Sequence, residues 1–166
     1  MLSPQNTIES EEYQLDRQAT AAKKRGDWDA AITALRKRKA LLGDQWVDDK
    51  LAKYLQQAGR FEEAMLEMQW LLNHSQAWSR LTFGHQPVSV QQSQHAGHSA
   101  RLHKAAALIC KREAQFEVQA KHEHLADSYM SIRVRLEPIA NAERKARMAC
   151  QLETVESVRL RAPPQS

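Results

Sequence analysis

Two stretches of the chain, Gly26-Asp27-Trp28-Asp29-Ala30-Ala31 and Gly59-Arg60-Phe61-Glu62-Glu63-Ala64, share a glycine, a polar residue, an aromatic residue, an acid and a final alanine. They lie 33 positions apart, because residue 26 matches residue 59. A glycine can end a helix in the left-handed conformation at low steric cost, and Asp27 can cap the next helix by accepting a backbone N–H. Each stretch therefore predicts a tight turn between two helices.

Residues on both sides of these turns also match at the same offset. The matched positions are small or apolar: Ala19 with Ala52, Ala22 with Leu55, and Leu35 with Met68. The pattern resembles the tetratricopeptide repeat, whose period is about 34 residues. The resemblance implies two helical hairpins within residues 1–82, with Ala31 and Ala64 buried where paired helices touch and an aromatic residue closing each turn.

The rest of the composition predicts an all-α fold. Glycine and proline are scarce, and good helix formers dominate. The predicted helices span 7–25, 28–42, 45–58, 61–73, 99–136 and 139–159, with a loop at 83–98 that includes a Gln/Ser run. Pro138 is expected to end or kink a helix at Glu137. Residues 99–161 then form a long helical hairpin packed on the first half, and 162–166 form a tail.

Charge is unevenly distributed along the chain. The excess of basic residues lies in 84–166, where arginines and lysines recur at 133, 135, 144, 145, 147, 159 and 161. Such a basic end can be a solvated helix face, or it can meet an acidic partner or a phosphate backbone. No apolar run is long enough to span a membrane, and the polar segment 1–12 does not resemble a signal peptide. These features predict a cytoplasmic protein with Cys110 and Cys150 as reduced thiols.

The histidine, cysteine and glycine residues form no catalytic, metal-binding or phosphate-binding motif. His95, His98 and His103 lie close in sequence, but neither they nor His122 and His124 have the spacing of a zinc site. Cys110 lies in an apolar stretch, where burial makes a thiol inert. The glycines are isolated, so there is no phosphate-binding loop. We predict no catalytic residue, no metal and no cofactor.

The tetratricopeptide resemblance also implies where a partner binds. In that family the first helix of each repeat lines a concave surface that takes peptides or helices. The corresponding positions are Tyr13, Asp16, Thr20 and Lys23 in the first hairpin and Trp46, Asp49, Lys53 and Gln56 in the second. Tyr13 and Trp46 are expected to be exposed apolar anchors, with the charged residues selecting the register. The alternative is that the second half of the chain packs into this groove.

Three hypotheses about function follow. The first is a non-enzymatic protein–protein interaction module, an adaptor or chaperone-like protein that binds a peptide or helix of another protein. The second is a nucleic-acid-associated or regulatory protein that uses the basic second half. The third is a metal-dependent enzyme or sensor built on His95, His98 and His103. The first is preferred, because the turn motif is doubled and a catalytic set is missing.

Overall fold

The computed structural model describes the backbone of residues 4–161 and the side chains of residues 11–152. Within that range the chain forms no β-strand and six α-helices, which confirms the all-α prediction. The helices are α1 (Pro4–Lys24), α2 (Trp28–Leu42), α3 (Lys50–Gln57), α4 (Phe61–Phe83), α5 (Val88–Arg112) and α6 (Phe116–Arg161), with a 3-10 turn at Gly43–Gln45. The predicted tail, 162–166, lies outside the described residues.

Three of the connections between helices have the same backbone structure. Their middle residues have positive φ, 77° at Gly26, 76° at Gly59 and 55° at Ala114. In each turn the N–H of this residue donates to the carbonyl three residues back, and the next N–H donates to the carbonyl five residues back. This is the Schellman arrangement of a helix end. Its recurrence divides the chain into three helical hairpins, α1–α2, α3–α4 and α5–α6.

The hydrophobic core runs through all three hairpins. Ala31 and Ala64 are fully buried, as predicted, and so are Ala19 and Ala52 at the matched positions. The third hairpin joins this core through four residues of α5, namely Leu102, Ala105, Ala106 and Ile109. Small residues let the helix axes approach closely, so the same core continues from one hairpin to the next.

The predicted loop at 83–98 is wrong, because only residues 84–87 connect α4 to α5. Ser89 and Ser93 of this segment are buried in α5, whereas Gln92 is exposed. Ser79 Oγ on α4 donates to the Gln91 carbonyl at 3.0 Å, and Ser75 Oγ lies 3.4 Å from Ser99 Oγ. Small hydroxyls satisfied by neighbouring acceptors fit a close contact between α4 and α5. A polar composition therefore concealed a buried helix.

The predicted helices 99–136 and 139–159 are also misplaced. The chain turns at 113–115, inside the predicted helix 99–136, and α6 then continues through Pro138. Proline leaves the carbonyl four residues back, that of Val134, without its helical donor. Val134 and Pro138 are both exposed, so water can serve this carbonyl. Leu136 and the buried Ala140, on either side of Pro138, continue the stripe that packs along α5.

The segment before α3 differs from the predicted helix 45–58. Gly43–Gln45 is a 3-10 turn, and α3 begins only at Lys50. Trp46 has extended backbone geometry, with φ −67° and ψ 119°. The Asp48 carboxylate accepts the backbone N–H of Lys50 at 2.9 Å and so supports the start of α3. The residues between 46 and 49 therefore do not follow helical spacing.

Candidate partner-binding surface

The first helices of the three hairpins, α1, α3 and α5, lie side by side. Lys50 Nζ on α3 donates to Asp16 Oδ1 at 2.8 Å and to Thr20 Oγ1 at 2.9 Å on α1. On the other side of α3, Gln56 Nε2 donates to Glu113 Oε1 at 2.8 Å, where α5 ends. We call the surface formed by these helices the first-helix face. It includes Tyr13, Arg17, Lys23, Lys50, Lys53, Arg101 and Lys104.

Asp16 belongs to an ion network inside the fold. The Arg38 guanidinium contacts Glu12 at 2.6 Å, Asp48 at 2.8 Å and Asp16 at 3.3 Å. Burial lowers the pKa of Arg38, but hydrogen bonds and charges from Glu12 and Asp48 outweigh it, so the pKa lies above its usual value. The network ties α1 to the end of α2 and the start of α3. Asp16 thus has two cationic partners, Arg38 and Lys50, within the chain.

Trp46 was predicted to be an exposed anchor, and this is wrong because its side chain is 1% exposed. Its indole Nε1 donates to Glu67 Oε1 at 2.9 Å, and Glu67 also pairs with Lys39 Nζ at 2.7 Å. The Arg38 guanidinium carbon lies 5.5 Å from the centre of the Trp46 rings. The extended backbone at residue 46 turns this side chain into the core between the first two hairpins, whereas helical spacing places it on the surface.

Asp49 and Gln56 are also buried, contrary to their predicted exposure. Asp49 pairs with Lys53 at 3.0 Å and with Arg101 of α5 at 3.8 Å. Arg101 also donates to the Val47 carbonyl at 2.9 Å. Helix α5 therefore covers this side of α3.

Among the predicted residues, Tyr13 and Lys53 stay accessible. Tyr13 is 65% exposed, and the Lys53 side chain is 38% exposed. Lys23 lies partly exposed with its Nζ 4.8 Å from the ring centre of Tyr54. Thr20 donates to the Asp16 carbonyl at 2.9 Å and is half-buried. The predicted partner-binding residues therefore fall into two groups. Some are accessible cations and one aromatic residue, and the others form contacts that hold the hairpins together.

The structure adds two cations that sequence reasoning missed, Arg101 and Lys104. Helix α5 runs parallel to α3, because Arg101 contacts Asp49 and the end of α5 contacts Gln56. Lys104 follows Arg101 by one turn and is exposed, so it lies on the same side of α5 as Arg101. The Arg101 side chain is 50% exposed. The i, i+3 spacing of Arg101 and Lys104 could have indicated a basic helix face. It was missed because the second half of the chain showed no repeat, so α5 was not recognised as a first helix.

Two histidines, His103 of α5 and His122 of α6, contact each other between these helices. His103 Nδ1 lies 2.9 Å from His122 Nδ1 across the α5–α6 contact, and His103 stacks on Tyr129 with ring centres 5.6 Å apart. Burial lowers the pKa values of His98 and His103 to about 4, so both are neutral at physiological pH. In the described part of the chain, no three His, Cys, Asp or Glu side chains are placed to hold a metal ion.

Cys110 lies within the α5 core, as its apolar neighbours predicted. Its Sγ is 3.8 Å from Met65 Sδ on α4. Burial raises the pKa of the Cys110 thiol, which disfavours the reactive thiolate. The side chain therefore contributes to packing between the second and third hairpins.

Comparisons with known proteins found no matching family model, no similar curated protein and no similar solved structure. Across the described residues, no helix combines the length and apolar character needed to cross a bilayer.

Proposed function

We propose that this chain is a non-enzymatic protein–protein interaction module of tetratricopeptide type that works in the cytoplasm. Its partner is a peptide or a helix of another protein, bound on the first-helix face. The observation that carries the proposal is the recurrence of one turn structure in three hairpins, which brings three first helices onto one surface. Extended surfaces of this kind are what stacked helical repeats use to bind other chains.

The chemistry of the first-helix face supports an acidic or mixed-charge partner. Lys53 and Arg101 both pair with Asp49, an acid that is only 6% exposed, and Lys104 is exposed one turn after Arg101 on α5. Two cations share the single charge of Asp49, so this part of the face keeps a positive charge that attracts acidic groups. Tyr13, with the Arg17 guanidinium 5.8 Å from its ring centre, adds an exposed aromatic contact at the edge of the face.

Charge reversal on this face tests the proposal. The test variant is Lys53→Glu with Lys104→Glu, and the control is Lys37→Glu with Arg135→Glu, which changes the net charge equally at exposed sites on α2 and α6. Proteins captured from native lysate by the parent chain should be retained by the control and lost by the test variant. If the test variant captured the same proteins as the control, the binding surface would lie elsewhere.

A second candidate function is nucleic-acid binding through α6. Basic residues recur along its exposed and half-exposed positions, namely Arg133, Arg135, Arg144, Lys145 and Arg147. Binding through phosphates weakens steeply with salt, since each neutralised phosphate releases counterions. A titration against random duplex DNA over increasing salt separates the two functions. Binding with a steep salt slope, lost in an Arg135→Gln, Lys145→Gln variant, would favour this second function.

A further inference from the structure

A cavity of about 440 Å³ lies where α6 passes the connection between α4 and α5. It is lined by the end of α4, the connecting residues His85 and Gln86, the first turn of α5 and one face of α6. This volume lies within the range of small-molecule sites, about 300–1,000 Å³. The cavity is separate from the first-helix face, so its role does not depend on the proposed function.

Two arginines of α6, Arg144 and Arg147, line the cavity one helical turn apart. Within the described residues, neither of them has a carboxylate within ion-pairing distance. The neighbouring acid, Glu143, instead accepts a hydrogen bond from Ser89 Oγ at 2.5 Å. Arg147 donates to the carbonyl of His85. Guanidinium groups keep their charge and have five N–H donors, so both arginines retain donor capacity for an anion.

The backbone around the cavity does not oppose a negative charge. The last carbonyl groups of α4 have no donor within the helix, and such groups would normally repel an anion. Here Gln91 Nε2 donates to the Gln86 carbonyl at 2.9 Å and to the Gly84 carbonyl at 3.4 Å. Arg147 serves the His85 carbonyl in between. The start of α5 at Val88 adds the positive end of a helix dipole beside the two arginines.

The lining of the cavity also includes three apolar side chains. These are Phe83, Val90 and Met148, and Phe83 contacts Trp78 edge-on with ring centres 5.7 Å apart. A ligand that matches both the arginines and the apolar side chains has a negatively charged head and an apolar body. We propose that this cavity binds a small organic carboxylate, with Arg144 and Arg147 holding the carboxylate and Phe83, Val90 and Met148 contacting the carbon skeleton.

Nuclear magnetic resonance of the full chain provides the test, with hexanoate as the probe. The reporters are the Met148 methyl group, which lines the cavity, and the Trp78 indole N–H, whose ring contacts Phe83. Two comparison ligands separate the parts of the site: 1-hexanol has the apolar chain without the charge, and inorganic phosphate has the charge without the chain. Hexanoate should shift both reporters in a saturable manner and more tightly than either comparison ligand.

The arginines are tested with a matched pair of variants. Arg144→Gln combined with Arg147→Gln should weaken hexanoate binding by about ten-fold or more, since hydrogen bonds to charged groups are lost. Arg135→Gln, an exposed change on the same helix, should leave binding unchanged. A thermal melt checks that each variant is folded, and Phe83→Leu provides a second variant that should weaken binding of hexanoate but not of phosphate.

Three outcomes would overturn the proposal. Equal binding of 1-hexanol and hexanoate would leave the arginines without a role in recognition. Equal binding of phosphate and hexanoate would show that the apolar side chains of the cavity do not contribute to binding. Absence of a saturable shift at both reporters with hexanoate in the parent chain would exclude a carboxylate site in this cavity.

Discussion

Ala114 in the third hairpin occupies the position that Gly59 holds in the second. Both residues have positive φ, 55° and 76°, and both donate their N–H to the carbonyl three residues back. The residue after each donates to the carbonyl five residues back. An alanine there has the steric cost of the left-handed conformation, which a glycine avoids.

Exchanging glycine and alanine at these two positions should therefore change stability in opposite directions. Ala114→Gly should stabilise the fold by about 0.5–1 kcal/mol, since relief of strain exceeds the entropy that glycine adds to the unfolded chain. Gly59→Ala should destabilise it by about 1 kcal/mol. Urea unfolding followed by circular dichroism measures both. A loss of stability in Ala114→Gly would contradict the left-handed turn at 113–115.

Ala64 should not tolerate a larger side chain. It is fully buried where the second hairpin packs, so Ala64→Leu overpacks the contact and should cost about 1–3 kcal/mol. Ala40→Leu, an exposed change on α2, is the matched control and should leave the melting temperature nearly unchanged. An unchanged thermal melt for Ala64→Leu would argue against close packing of helices at this position.

The hydrogen bond of Trp46 should contribute to stability. Trp46→Phe removes the donor to Glu67, which is 8% exposed and keeps only Lys39 as a partner. Loss of a buried hydrogen bond to a charged acceptor should destabilise the fold by about 1.5–3 kcal/mol. Trp28→Phe is the control, because the Trp28 indole N–H makes no hydrogen bond within the described residues. Equal destabilisation in the two variants would show that loss of ring volume alone explains the effect.

Acid should weaken the contact between α5 and α6 through His103. Burial, together with charge repulsion from His122, lowers the folded-state pKa of His103 from 6.5 to about 4. The unfolded chain therefore binds a proton first as the pH falls, so stability is complete above about pH 6.5 and is lost progressively towards pH 4. His103→Phe should flatten this part of the pH profile measured by urea unfolding. His124→Gln, at an exposed position, should retain the slope of the parent.

The sequence predicted the two hairpins that share a glycine turn. It did not predict the third hairpin, whose turn has a different residue at the position of the glycine. The turn at 113–115 has alanine in place of glycine, and it follows the 25-residue helix α5, whereas the turn at Gly59 follows the 8-residue helix α3. The repeat spacing therefore changes, and the third copy could not be found at an offset of 33. Ser89 and Ser93 gave a loop prediction because their burial, and the hydrogen bond from Ser89 to Glu143 on α6, depend on helices that are distant in sequence.

The candidate surface was predicted only in part for a related reason. Helical spacing placed Trp46 and Asp49 outside, but α3 begins at Lys50, so neither residue follows that spacing. The role of α5 depends on contacts between residues about 50 positions apart, such as Arg101 with Asp49. Local patterns carry no information about such a pair. Tyr13 and Lys53 were predicted as accessible because both lie within regular helix.

The proposed binding of a partner protein on the first-helix face can be tested by photo-crosslinking. A photo-crosslinking amino acid, p-benzoylphenylalanine, can replace Tyr13 on this face or Phe116 at the start of α6. These two aromatic side chains are matched in exposure, at 65% and 67%. Irradiation in native lysate should give a discrete crosslinked partner from position 13 and none from position 116. A crosslinked partner from position 116 alone would contradict the account.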